Sequence, residues 1–70
     1  MQIIYTPGGD VVAVMKAKEA VLTEAALARY VAESPDSNLA VRMLRDVANA
    51  NEQAEQRAEE AAEAAAVNSI

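Results

Sequence analysis

The sequence predicts a predominantly helical α+β fold: an N-terminal β-hairpin packed on two antiparallel helices, the second of them long, in a homodimer. Three observations predict it. A Pro7-Gly8-Gly9-Asp10 turn separates two short runs rich in β-branched residues, a Ser34-Pro35 break interrupts a helical pattern, and the chain has no glycine or proline from Asp36 onward. The chain has 70 residues, which limits it to one small domain.

Gln2–Thr6 (QIIYT) and Val11–Lys16 (VVAVMK) form the hairpin, which occupies residues 1–16. Proline sets φ for the turn, the glycines accept positive φ, and aspartate favours turn conformations. The alternation is imperfect: Ile3 and Tyr5 point one way and Ile4 the other, while Val11, Val12, Val14 and Met15 cover both faces. A lone two-stranded hairpin is marginal in water. Helices are therefore expected to cover one face, and a second chain the other.

The first helix is expected over residues 18–33, with Thr23-Glu24 as an alternative regular start. Leu22, Ala26, Leu27, Tyr30 and Val31 make a broad apolar side, and Glu24, Arg29 and Glu33 are its few polar positions. A helix with so narrow a wet stripe is buried on more than one side. Pro35 disfavours helical geometry at Ser34, and Ser34, Asp36 or Ser37 can cap the next helix. The second helix is expected over residues 35–66, starting at Pro35 or at Asn38.

Its first half carries Leu39, Ala40, Met43, Leu44 and Val47, with Arg42, Arg45, Asn49 and Glu52 on another side. After Val47 nothing larger than alanine supplies apolar bulk until Val67. Yet Met43, Val47, Ala50, Ala54, Ala58, Ala61 and Ala65 continue one stripe with an eleven-residue period, close to that of a straight helix. Thirty helical residues span roughly 45 Å. A compact globule of this length is only about 28 Å across. The second helix must overhang its own domain, and the alanine stripe is the expected dimer seam.

Composition supports self-association. Roughly a quarter of the positions are alanine, which buries little area per residue, and Tyr5 and Tyr30 are the only aromatics. Without cysteine or histidine there is neither a disulfide nor a thiolate or imidazole metal site to reinforce so small a core.

The same composition excludes most chemistry. Glu52, Glu55, Glu59, Glu60 and Glu63 lie on helical spacing with no bulky neighbours to shield them, so they read as a solvated face rather than a catalytic pair. They also lack a loop to close a coordination sphere around a metal. Ser34 and Ser37 have no histidine for nucleophilic catalysis, and the PGGD turn is too short for a phosphate loop. No enzyme activity and no cofactor are expected.

The net charge is −5, and residues 51–70 carry nearly all of it. Such a balance argues against nucleic-acid affinity. No segment has the make-up of a signal peptide, and no apolar run approaches the ~20 residues of a membrane span. A soluble, cytoplasmic protein is expected.

Surface residues suited to a protein partner are Tyr30, Arg42, Arg45 and Arg29, since aromatics and arginine anchor interfaces. Tyr30 equally fills a core position beside Leu27 and Val31. The hairpin edge offers a place for strand addition.

Two resemblances bear on function. Val11–Lys16, Leu22–Glu33 and Asn38–Ala50 match the strand-helix-loop-helix order of ribbon-helix-helix repressors, and a DNA-binding regulator is what that resemblance implies. The strand VVAVM, however, offers no polar side chain to read base edges before Lys16. In size, acidity and alanine content the whole chain resembles small phage accessory proteins, including anti-CRISPR proteins and anti-activators. That resemblance implies a stoichiometric binder that inhibits a bacterial host protein, such as a transcription activator or a defence complex. A self-assembling scaffold element is the third reading.

Overall fold

A computed structural model of the chain describes residues 1–68. Strands β1 (Gln2–Tyr5) and β2 (Val11–Val14) pair antiparallel, and helices α1 (Ala17–Glu33) and α2 (Asn38–Asn68) come after them. The class and element order are those the sequence predicts.

The hairpin loop is Pro7-Gly8-Gly9. Thr6 C=O accepts the Gly9 N–H at 3.1 Å, and Thr6 N–H donates to Asp10 C=O at 2.9 Å. Among the described residues only Gly9 has positive φ, at 88°. A negative φ at Gly8 rules out a type II turn, so the loop is a three-residue turn closed by a left-handed residue. Thr6 Oγ1 accepts the Asp10 N–H at 3.1 Å and tightens it. The register pairs Gln2 with Val14, Ile3 with Ala13, Ile4 with Val12 and Tyr5 with Val11. Ile3, Tyr5, Val11 and Ala13 therefore share one face, and Gln2, Ile4, Val12 and Val14 the other.

Neither face is covered. All residues of both strands are exposed, and neither strand packs against a helix. This corrects the expected hairpin-on-helices arrangement. With apolar residues on both faces the ribbon has no preferred side to lay down, so it stands away from the helices and is tethered at its base. There Glu19 bridges two parts of the chain. Its Oε1 accepts the Lys16 N–H at 2.9 Å, which caps α1, and its Oε2 pairs with the Met1 ammonium at 2.8 Å. Lys16 has no acceptor to complete a capping box.

Helix α1 thus starts at Ala17 and runs through Thr23. The Thr23 hydroxyl donates back to Glu19 C=O at 2.9 Å, and Met15 Sδ lies 3.3 Å from the same hydroxyl oxygen. Ser34 ends the helix, its N–H bonded to Tyr30 C=O at 2.8 Å. Ser34–Ser37 is a turn closed by the Ser37 N–H on Ser34 C=O at 3.1 Å, with Pro35 at its second position. Of the two starts the sequence allows, α2 takes Asn38: Ser37 Oγ caps it by accepting the Ala40 N–H at 3.3 Å. The helix continues to Asn68, two residues past the expected end.

The helices form an antiparallel pair. Ala20, Thr23, Glu24, Leu27 and Val31 of α1 face Ala40, Leu44, Val47, Ala48 and Asn51 of α2; with Glu19 these are the part-buried positions of the helices, and among the described residues only Ala40, 6% exposed, is fully buried. Asn51 Nδ2 crosses the seam to Ala20 C=O at 3.1 Å and Glu24 Oε1 at 2.9 Å. That register sets Ala17 opposite Ala54, so α2 runs on beyond the start of α1. At 31 residues α2 is roughly 46 Å long. The radius of gyration is 15.8 Å, against about 11 Å for a compact chain of this length.

Candidate functional site

The molecule is a thin plate, 52 × 33 × 16 Å, and its candidate functional features are surfaces. On one broad face an open cleft of about 800 Å³ lies where the hairpin base, the start of α1 and the overhang of α2 diverge. Met15, Ala17 and Val21 form one wall, and Ala48, Ala54 and Ala58 the other. Its charged lining residues are Glu24, Glu52 and Glu55, all acidic.

Helical periodicity fixes what lies on the opposite broad face. Val21 and Glu24 of α1 and Ala48, Glu52 and Glu55 of α2 mark the cleft side. Each residue advances about 100° around a helix. The seam residues then place Ala26 and Tyr30 of α1, and Leu39, Met43, Asp46 and Ala50 of α2, on the other side, with Leu22 and Glu33 at its outer margin. Leu22 is 71% exposed, Leu39 61%, Tyr30 53% and Met43 46%. The structure does not use Tyr30 as core; Leu27 and Val31 turn inward in its place.

The three arginines singled out by the sequence do not form one patch. Arg29 stands two residues from the inward Leu27, and Arg42 two from the inward Ala40, about 200° away in each case. They emerge on the opposite outer edges of the plate. Arg29 Nε approaches Glu33 Oε1 at 3.6 Å, a fully solvated pair of small energetic weight. Arg45 is exposed one turn further along the outer side of α2.

The alanine stripe divides into four environments. Met43 and Ala50 lie on the open apolar face, and Val47 is half-buried against α1. Ala54 and Ala58 line the cleft. Ala61 and Ala65 belong to the overhang, where every residue through Val67 is exposed. Beside them, Glu60, Glu63, Ala64 and Val67 outline a shallow shelf.

Electrostatics single out Glu19. Hydrogen bonding to the Met1 ammonium, and next to the Lys16 N–H, holds its carboxyl below the ordinary value. Among the described residues no group of three or more carboxylates is placed to hold a metal ion, and no helix is long and apolar enough to cross a membrane. The significance of the hairpin was only half legible: its apolar composition was plain, but not that both faces would stay bare.

No family model, curated protein or solved structure matches the chain.

Proposed function

We propose that this chain is a non-catalytic protein-binding module that pairs with a second copy and inhibits a bacterial host protein, as a small phage product acting by stoichiometric occlusion. One observation carries the reading. The accessible surface is 5970 Å², whereas a compact monomer of 7.4 kDa exposes about 4,200 Å². Part of that surface is large apolar side chains, with Ile3, Tyr5, Leu22, Tyr30 and Leu39 each 47–79% exposed, and exposed apolar surface marks sites of contact with other proteins.

The hairpin suits a protein partner. Each strand keeps one free edge for an added strand, and Tyr5 and Val11 stand exposed beside it. Arg42 and Arg45 supply cationic contacts on the outer side of α2. The Val11–Val14 strand has no polar side chain to read a base pair, which weighs against the ribbon-helix-helix alternative.

Affinity capture from a bacterial lysate, then titration with the purified target, tests the proposal. The expected result is one host protein bound saturably at a fixed ratio, with capture weakened by Arg42→Glu combined with Arg45→Glu. Retention of duplex DNA that collapses with salt, and no protein target, overturns it in favour of a DNA-binding regulator.

A further inference from the structure

Domains are built from at least two packed layers of secondary structure around one core. The helix pair supplies a single layer, and the plate is 16 Å thick. Its cleft face is acidic. Its other face, formed by Leu22, Ala26, Tyr30, Leu39, Met43 and Ala50, is mainly apolar, with Asp46 between Met43 and Ala50 and Glu33 one turn past Tyr30, and its four large members are all close to half exposed or more.

We infer that this mainly apolar face is where a second copy of the chain docks, layer on layer, to form a four-helix bundle. The area fits. The chain exposes roughly 1,800 Å² more than a compact monomer of its mass, the bare hairpin and overhang included, and a standard interface removes about 800 Å² from each partner, less than half of that excess. Leu22, Tyr30, Leu39 and Met43 supply the bulk that the single layer lacks, and Ala26 and Ala50 let the backbones approach. An interface is depleted of charge at its centre and carries it on its rim. Arg29 and Glu33 lie at its outer margin in that way, beside Leu22, and Asp46 lies nearer its middle, between Met43 and Ala50.

The occupant is a second copy rather than a foreign helix because the deficit is one of folding: without a second layer the pair has, among the described residues, Ala40 as its one fully buried residue. The alanine overhang is the weaker seam. Pairing there removes little area per contact and brings together two tails rich in glutamate. The inference rests on the self-pairing half of the proposed function and moves the interface from the alanine stripe to the Leu22–Met43 face. The cleft, the hairpin edges and the overhang stay free for a host protein.

Sedimentation equilibrium of the full chain tests it, with Leu39→Glu, Met43→Glu and Ala61→Glu as variants. Leu39 is the second residue of α2, where a carboxylate suits the helix N-terminus, so Leu39→Glu leaves the helix intact. The expected result is a dimer whose dissociation constant rises at least about thirtyfold in Leu39→Glu and in Met43→Glu, the size of a hot-spot loss. Ala61→Glu leaves it unchanged. A cooperatively folded wild-type monomer overturns the inference, as does a dimer indifferent to the first two variants and broken by Ala61→Glu. A dimer that responds as expected but captures no host protein preserves the inference and removes the proposed target.

Discussion

Asn51 of α2 donates its side-chain amide to the Glu24 carboxylate of α1 at 2.9 Å, and its second contact, to Ala20 C=O, is 3.1 Å long. This clasp sits one turn below the point where α2 outruns its neighbour. Below it the helices are held by Leu27, Val31, Leu44 and Val47; beyond Ala54 α2 has no helical partner among the described residues. Asn51→Ala removes one charged and one neutral hydrogen bond and costs about 1–2 kcal/mol. Asn51→Asp costs more, because a carboxylate then faces Glu24 and a carbonyl. Thermal melts monitored by far-UV circular dichroism give both values, and the order Asp worse than Ala is the diagnostic outcome.

The two loop glycines respond differently to substitution. Gly9 holds φ at 88°, and a Cβ there meets no atom within 4 Å, so any penalty is purely conformational. Gly9→Ala destabilises the hairpin by about 1–2 kcal/mol. At Gly8 a Cβ comes only to 3.9 Å of Thr6 Oγ1 and φ is ordinary, so Gly8→Ala is tolerated. Amide chemical shifts of Gln2–Tyr5 report the loss in Gly9→Ala. The helical melt stays in place, since neither strand packs on a helix.

Glu19 makes the hairpin base sensitive to acid. Its carboxyl is held below the ordinary 4.5 by the Met1 ammonium and the Lys16 N–H. A depressed folded-state value means the carboxylate contributes its stabilisation in full above the ordinary value. That contribution is lost as the pH falls through the lower, folded one. Acid titration monitored by amide shifts at Lys16–Ala20 and β1 detects a local transition there, and Glu19→Gln abolishes it. The same titration with Glu24→Gln retains it.

Much of this architecture was legible because its determinants are local. Pro7-Gly8-Gly9 specifies a turn by backbone preference, Ser34-Pro35 forbids a continuous helix, and alanine and glutamate after Asn51 sustain one. The capping of α1 was hidden because Lys16 is no capping residue; the acceptor comes from Glu19, which also reaches the chain start. The hairpin's detachment was hidden because Ile3 with Tyr5 and Ile4 with Val12 are equally good candidates for burial. On α1, apolar side chains cover so wide an arc that periodicity alone does not choose between Leu22, Ala26 and Tyr30 and the actual inward set of Leu27 and Val31. That choice is made by α2, where Ala40 admits the close approach and Asn51 fixes the register.

The overhang separates the two ways of joining copies. From residue 55 to 67 the chain is exposed and mostly alanine and glutamate, helical by propensity rather than by packing on its own α1. Removing residues 55–70 takes away four glutamates and Arg57 but none of the Asn51 clasp, the Ser37 cap or the Leu22–Met43 face. The melting transition of the helix pair should then hold within about 0.5 kcal/mol, as for surface changes distant from any packed feature. Mean ellipticity falls with the lost turns, and the mass by sedimentation remains that of two chains. Were the alanine stripe the seam, the same truncation would lower the melting temperature and dissociate the pair together, because the deleted contacts would be the ones holding it. Measuring ellipticity, melting and mass on one truncated sample therefore distinguishes a bundle closed over Tyr30 and Met43 from a rod zipped along Ala58, Ala61 and Ala65.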